Sequence, residues 1–197
     1  MISNNESRGA IVSKKFDDFN ADDRIAVKLL ENSIYYLFGE IDDDNVSECI
    51  KWILYENTDS RDKTLTLYIN STGGDLYNAF ALIDVMKNSQ YPVRTIAIGS
   101  AMSAAFLIFA AGYKGQRYAS KNCSFMCHQY SDNLAGKHHD LKATMRDGEL
   151  CNQKMIDILK EATGMPPSKI KSKLLPASDV YLTAEECVEL NIADHLT

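Results

Sequence analysis

Thr64-Leu65-Thr66-Leu67-Tyr68-Ile69-Asn70-Ser71-Thr72-Gly73-Gly74 decides how this chain folds. Polar and apolar residues alternate through Ile69, the period of a strand. The glycine pair then turns the chain into a helix carrying Leu76, Ala79, Phe80 and Ile83 on one face. The unit repeats at once: Val93 to Ile98 reads as a strand, Gly99 as a turn, and Met102 to Ala111 as a short apolar helix. Upstream, Ile34 to Phe38 reads as a buried strand ended by Gly39. Val46, Cys49, Ile50, Ile53 and Leu54 come next at helical spacing, with aspartates at the start where the helix dipole favours them. Strands alternating with helices imply an α/β fold with largely parallel pairing and right-handed crossovers.

Further out the pattern changes. Arg117 to Ala119 and Ser124 to His128 read as short strands, and Ser131 to His139 is polar. Asp140 to Thr163 predicts a long helix whose apolar stripe (Leu141, Met145, Leu150, Met155, Leu159) is too thin for an ordinary core helix. Such a helix projects or meets another subunit before its stripe is buried. Pro166-Pro167 opens a further short helix, and Thr183-Ala-Glu-Glu has the spacing of a capping box. Residues 1–24 are polar and predict a mobile arm, leaving 25–197 as a single domain.

Composition bounds the function. A chain of 197 residues, 45% of them hydrophobic, is long enough for one sizeable core and short for two domains. Its net charge of -6, with lysines and arginines scattered, argues against nucleic acid as a partner. The longest apolar run, Ala104 to Ala111, is about half the span a membrane helix needs. The first residues carry no apolar signal core, so a cytoplasmic protein is expected. Five cysteines without framework spacing read as reduced, buried thiols.

Three residue types that together activate a hydroxyl lie along this frame: Ser103, His128 and Asp179. A serine needs a base, an orienter for that base, and backbone donors for the oxyanion. Each has a plainer reading. Ser103 fits a small helix residue bonding a carbonyl one turn back, His128 a structural histidine, and Asp179 a loop carboxylate. Gly73-Gly74 stands at the strand-to-helix junction of the neighbouring unit. A glycine N–H there and that of Ala104 could form an oxyanion hole, although paired glycines equally make a plain tight turn. His138-His139-Asp140 and Cys123-x-x-x-Cys127-His128 raise a metal. Positions four apart on a strand lie about 13 Å from one another, so no metal is expected, and with no phosphate-cradling loop in the sequence no cofactor is expected either.

Taken together, Tyr68-Ile-Asn-Ser-Thr-Gly-Gly, Gly99-x-x-x-Ser103-x-Ala105, Met126-x-His128-Gln129, Thr163-Gly164 and Leu182-Thr-Ala-Glu-Glu resemble the proteolytic subunit family of the Clp protease, ClpP. The resemblance runs from about Leu29 to the C-terminus. It implies a ClpP/crotonase-like superhelix of β-β-α units with a protruding handle helix at about 138–163. By the same resemblance Ser103 is the nucleophile, His128 the general base and Asp179 its orienter, with Gly74 and Ala104 donating to the oxyanion. The chain order Ser, His, Asp differs from that of the α/β-hydrolases. The family implies a homo-oligomer of two stacked heptameric rings that encloses the sites. The N-terminal arm would line the axial pore, and an AAA+ unfoldase of the ClpX, ClpA or ClpC type would feed it unfolded polypeptide. Tyr68 and Tyr118 match the unfoldase pocket. Thr72, Asn88, Ala104, Tyr130 and Ser178 depart from the family pattern. Two other readings are a non-catalytic ring subunit and a related serine peptidase such as a phage prohead protease. A signal peptide peptidase would need a Ser-Lys dyad, for which Lys114 is the candidate.

Overall fold

The computed structural model describes residues 20–58, 60, 62–132 and 135–197. Ser33 to Thr197 form one compact unit, and the described residues before Ser33 belong to a separate one. The arm expected over 1–24 falls outside the described residues as far as position 19. From Ala21 the chain is helical: α1 spans Ala21–Glu31, with the Asn20 side chain accepting from the Asp23 N–H at 2.8 Å.

In the larger unit the elements run β1 (Ile34–Phe38), α2 (Asp43–Glu56), β2 (Leu65–Ser71), α3 (Leu76–Lys87), β3 (Val93–Met102), α4 (Ala104–Ala110), β4 (Arg117–Ala119), β5 (Ser124–Cys127), α5 (His138–Thr163), α6 (Pro167–Lys173), β6 (Val180–Leu182), α7 (Ala184–Glu189) and β7 (His195–Leu196). The strands β1-β2-β3-β4-β7 are parallel neighbours in that order, while β5 pairs with β3 and β6 runs antiparallel on β5. This is the mixed α/β architecture that the alternating pattern implies. Asp42, Asp75 and Thr183 cap their helices, and Thr183 with Glu186 completes the capping box read from the sequence.

One boundary differs from the sequence reading in a way that matters. Gly99 does not end β3. The register shifts between Ile69 and Ser71, and Asn70 Oδ1 closes the irregular step by accepting from the Ser100 N–H at 3.0 Å and hydroxyl at 3.2 Å. The strand therefore continues to Met102 and changes partner. Thr95–Ala97 pair with β4, whereas Ser100–Met102 pair with Ser124–Met126 of β5. Glycine ends a strand by freeing φ, but here a side-chain amide supplies the bonds that the backbone loses at the bulge.

All seven residues of α4 are buried, because a helix that is apolar on every side must be packed on every side. It lies against β3, α3 and α5. Arg117 is buried with it at 1% exposure, its guanidinium held by Asp194 at 2.7 and 2.9 Å and by the carbonyls of Ala110 and Ala162. Helix α5 divides in two. Cys151, Met155, Ile156, Leu159 and Thr163 are buried, whereas Met145 and Leu150 on the first half are exposed. No helix among the described residues is long and apolar enough to cross a membrane.

Candidate active site

Parallel strands end on the same side, so the residues just beyond β2, β3 and β5 are brought together: Gly73-Gly74, Ser103 and His128. Ser103 stands between β3 and α4 with φ 53°, a backbone conformation uncommon outside glycine. It is therefore not an interior helix serine, and its side chain makes no capping bond. Its N–H donates to the Met126 carbonyl at 2.8 Å, which ties the turn to the strand that carries His128. A sharp strand-to-helix turn lifts the hydroxyl clear of the sheet. Ser103 Oγ then lies 2.8 Å from His128 Nε2.

The proton positions on that imidazole are set by its partners. His128 Nδ1 faces the Gln129 carbonyl at 2.5 Å, and a carbonyl can only accept. Nδ1 thus carries a hydrogen, and whenever the ring is uncharged Nε2 is left to accept from the Ser103 hydroxyl. This is the tautomer a general base requires. Gln129 is itself pinned, its amide donating to the carbonyls of Leu175 at 2.9 Å and Pro176 at 3.1 Å.

Asp179 stands differently. The ladder pairs Cys127 with Val180, so extending the register by one residue sets Asp179 opposite His128. The carboxylate is exposed and makes no hydrogen bond to a described residue; its charge adds to the burial that pushes the Cys127 thiol up to about 12. Ser103 and His128 meet, while Asp179 is near them and unbonded.

Gly73 and Gly74 are both required by close approach. A Cβ on Gly73 would stand 2.7 Å from Ser103 Cβ, and one on Gly74 would stand 2.4 Å from the Ile41 carbonyl oxygen. Ile41 brackets the pair, donating to Gly73 O at 2.9 Å and accepting from the Asp75 N–H at 2.7 Å. The N–H groups of Gly74 and Ala104 have no acceptor among the described residues, and both residues line a cavity of about 200 Å³ beside Ser103 and His128.

Tyr77, Tyr130, Asp132 and Met155 also line this cavity; the sequence marks Tyr130 only as a departure from the family pattern and Met155 only as part of the α5 stripe, and nothing in it singles out Tyr77 or Asp132. The Tyr77 hydroxyl donates to Asp147 on α5, and that bond pushes the phenol well above its ordinary value. Burial, then the hydrogen bond to Asp132 at 3.2 Å, raises Tyr130. Both phenols stay protonated donors. The available signal was spacing alone: Tyr77 stands three residues past Gly74, and Tyr130 two past His128.

Tyr68 and Tyr118 lie elsewhere, on the sheet face. Tyr36, Tyr68, Ile96, Tyr118 and His195 are successive partners across five strands. Tyr36 stacks on Tyr68 at 5.3 Å, and Tyr118 meets His195 in a tilted pair at 4.8 Å. Asn88 is the C-cap of α3. Lys114 lines a separate cavity with Lys87 and Tyr91, away from the lining of the Ser103 cavity. No group of three histidine, cysteine or carboxylate side chains among the described residues could hold a metal ion.

Residues 19–197 match the family model described as Clp protease. That match spans the parallel sheet, the Ser103 turn, the strand that delivers His128 and the long helix α5, so the chain belongs to the Clp protease family.

Proposed function

We propose that the protein is a serine endopeptidase, the proteolytic core of a Clp-type ATP-dependent protease that hydrolyses unfolded polypeptides in an enclosed chamber. The observation that carries this reading is the 2.8 Å approach of Ser103 Oγ to His128 Nε2, with His128 Nδ1 turned to the Gln129 carbonyl. Ser103 Oγ attacks the substrate carbonyl as its proton passes to His128 Nε2. The N–H groups of Gly74 and Ala104 receive the oxyanion. His128 then gives the proton to the leaving amine, and water, deprotonated by the same imidazole, releases the acyl group. Asp179, opposite His128, supplies negative charge to the imidazolium. ATP acts only through the unfoldase, for which the aromatic row through Tyr68 and Tyr118 is the docking surface. The half-exposed stripe of α5 suits contact between two stacked heptameric rings.

Purified full-length protein should cleave a short fluorogenic peptide and react with a fluorophosphonate at Ser103, and Ser103→Ala and His128→Ala should each abolish both. An unlabelled wild type would sink the enzyme reading. It would leave the second one, a ring subunit that works beside an active homologue, which draws on the unbonded Asp179. A Ser-Lys mechanism predicts loss of activity in Lys114→Ala, and the separate cavity of Lys114 gives that mechanism no support.

A further inference from the structure

We infer that Asn152, on α5, is a positioning residue for His128, acting through the single peptide that joins Gln129 to Tyr130. The inference rests on the reading of Ser103 and His128 as nucleophile and base.

That peptide is held at both ends. Its carbonyl, from Gln129, accepts from His128 Nδ1 at 2.5 Å, and its N–H, from Tyr130, donates to Asn152 Oδ1 at 2.9 Å. A trans peptide is planar, with C=O and N–H pointing in opposite directions, so fixing the N–H aims the carbonyl. The Asn152 amide is oriented unambiguously by its other bond, Nδ2 donating to the Gly148 carbonyl at 3.1 Å. An N–H on one side and a carbonyl on the other leave one placement for oxygen and nitrogen. The Tyr130 ring rests against Gly148, where a Cβ would come within 3.2 Å of it, and so limits how far the peptide can shift.

An unbroken chain of hydrogen bonds therefore runs from α5 to the nucleophile: Asn152 Oδ1, Tyr130 N–H, Gln129 C=O, His128 Nδ1–H, His128 Nε2, Ser103 Oγ–H. Each bond polarises the next in the same sense. The peptide holds the imidazole tautomer and ring direction, the task a carboxylate performs in a serine triad. Asp179, unbonded, is left to act by charge. The same chain makes the position of α5 a determinant of the site, because Asn152 lies where the exposed half of that helix meets its buried half.

The test reads the tautomer directly. Full-length protein carrying ¹³C,¹⁵N-histidine is compared as wild type, Asn152→Ala and Asn152→Asp, with His128→Ala to assign the resonance. Alanine has the best helix propensity, so α5 persists in the first variant. The wild type should show His128 as the Nδ1–H form. In Asn152→Ala that form should lose its dominance and fluorophosphonate labelling of Ser103 should slow by about tenfold or more. Asn152→Asp, which keeps an acceptor oxygen, should restore both. If Asn152→Ala keeps the wild-type tautomer and labelling rate, or Asn152→Asp is no better than alanine, the assignment is overturned. A wild type that never labels defeats the enzyme reading instead, and the tautomer comparison still decides the role of Asn152.

Discussion

Replacing Gly73 by alanine should disable the site and destabilise the fold together, and a second glycine separates the two causes. Gly73 has φ +105°, and the added Cβ would lie 2.7 Å from Ser103 Cβ, 2.8 Å from the Met102 carbonyl oxygen and 3.3 Å from the Ala104 nitrogen. Carbon atoms normally approach to about 3.5–4.0 Å, so the overlap with Ser103 approaches 1 Å. The neighbours are backbone and a Cβ, which cannot swing aside. The positive φ costs about 1–2 kcal/mol and the overpacking about 1–3 kcal/mol, giving about 2–5 kcal/mol in all. Gly115 provides the control: its φ is +86°, but a Cβ there meets nothing within 4 Å. Gly115→Ala should therefore cost only the conformational part, about 1–2 kcal/mol. Urea unfolding of both variants measures the difference. Fluorophosphonate labelling measures the consequence at Ser103, where a shift of about 1 Å costs on the order of a hundredfold in rate. If Gly73→Ala unfolds no earlier than Gly115→Ala, or labels at the wild-type rate, the close approach of the two turns does not constrain the site.

Asp194 should give the fold an acid-sensitive limb. Burial pushes its carboxyl up, but the bonds from the Arg117 guanidinium and from the N–H groups of Arg117 and Gly115 outweigh it and hold it below the ordinary carboxylate value. A depressed folded value stabilises fully above the unfolded value of about 3.9 and is lost as pH falls through the folded one. Asp194→Asn should flatten that limb in urea melts at graded pH while costing about 3–5 kcal/mol at neutral pH, because the charge of Arg117 is left buried without its counter-ion. All five cysteines are buried, and burial pushes the Cys123 thiol, like that of Cys127, up to about 12. Iodoacetamide should modify them only as the protein unfolds, and rapid labelling of native protein would contradict their burial. Thr183→Ala removes one arm of the capping box on α7 and should lower stability by about 1 kcal/mol, read by the same urea melts.

The helices and most strands were legible because their signals are local. Alternation over Thr64 to Ile69 marked the strand found at Leu65–Ser71, the apolar run marked α4, and Thr183 with Glu186 marked the start of α7. The short strands β6 and β7 were not, since they pair only because β5 and β4 are already in place. Helix α1 was passed over although Ile25, Val27, Leu29 and Leu30 are apolar, and none of its side chains is buried.

For the site, the order of residues alone supplies the chemical inventory: a hydroxyl at Ser103, an imidazole at His128, a carboxylate at Asp179 and glycines where two turns approach. Their covalent identity does not depend on the fold. Which of them touch is settled by the folded chain. The strand β3 continues through its bulge to pair with β5, and that register alone sets Ser103 against His128 at 2.8 Å. It also turns His128 Nδ1 to the Gln129 carbonyl rather than to Asp179 and brings Asn152 to the same peptide. Such contacts join residues 22 and 25 positions apart, and a hydrogen bond is won or lost over a few tenths of an ångström, a distance no residue pattern encodes.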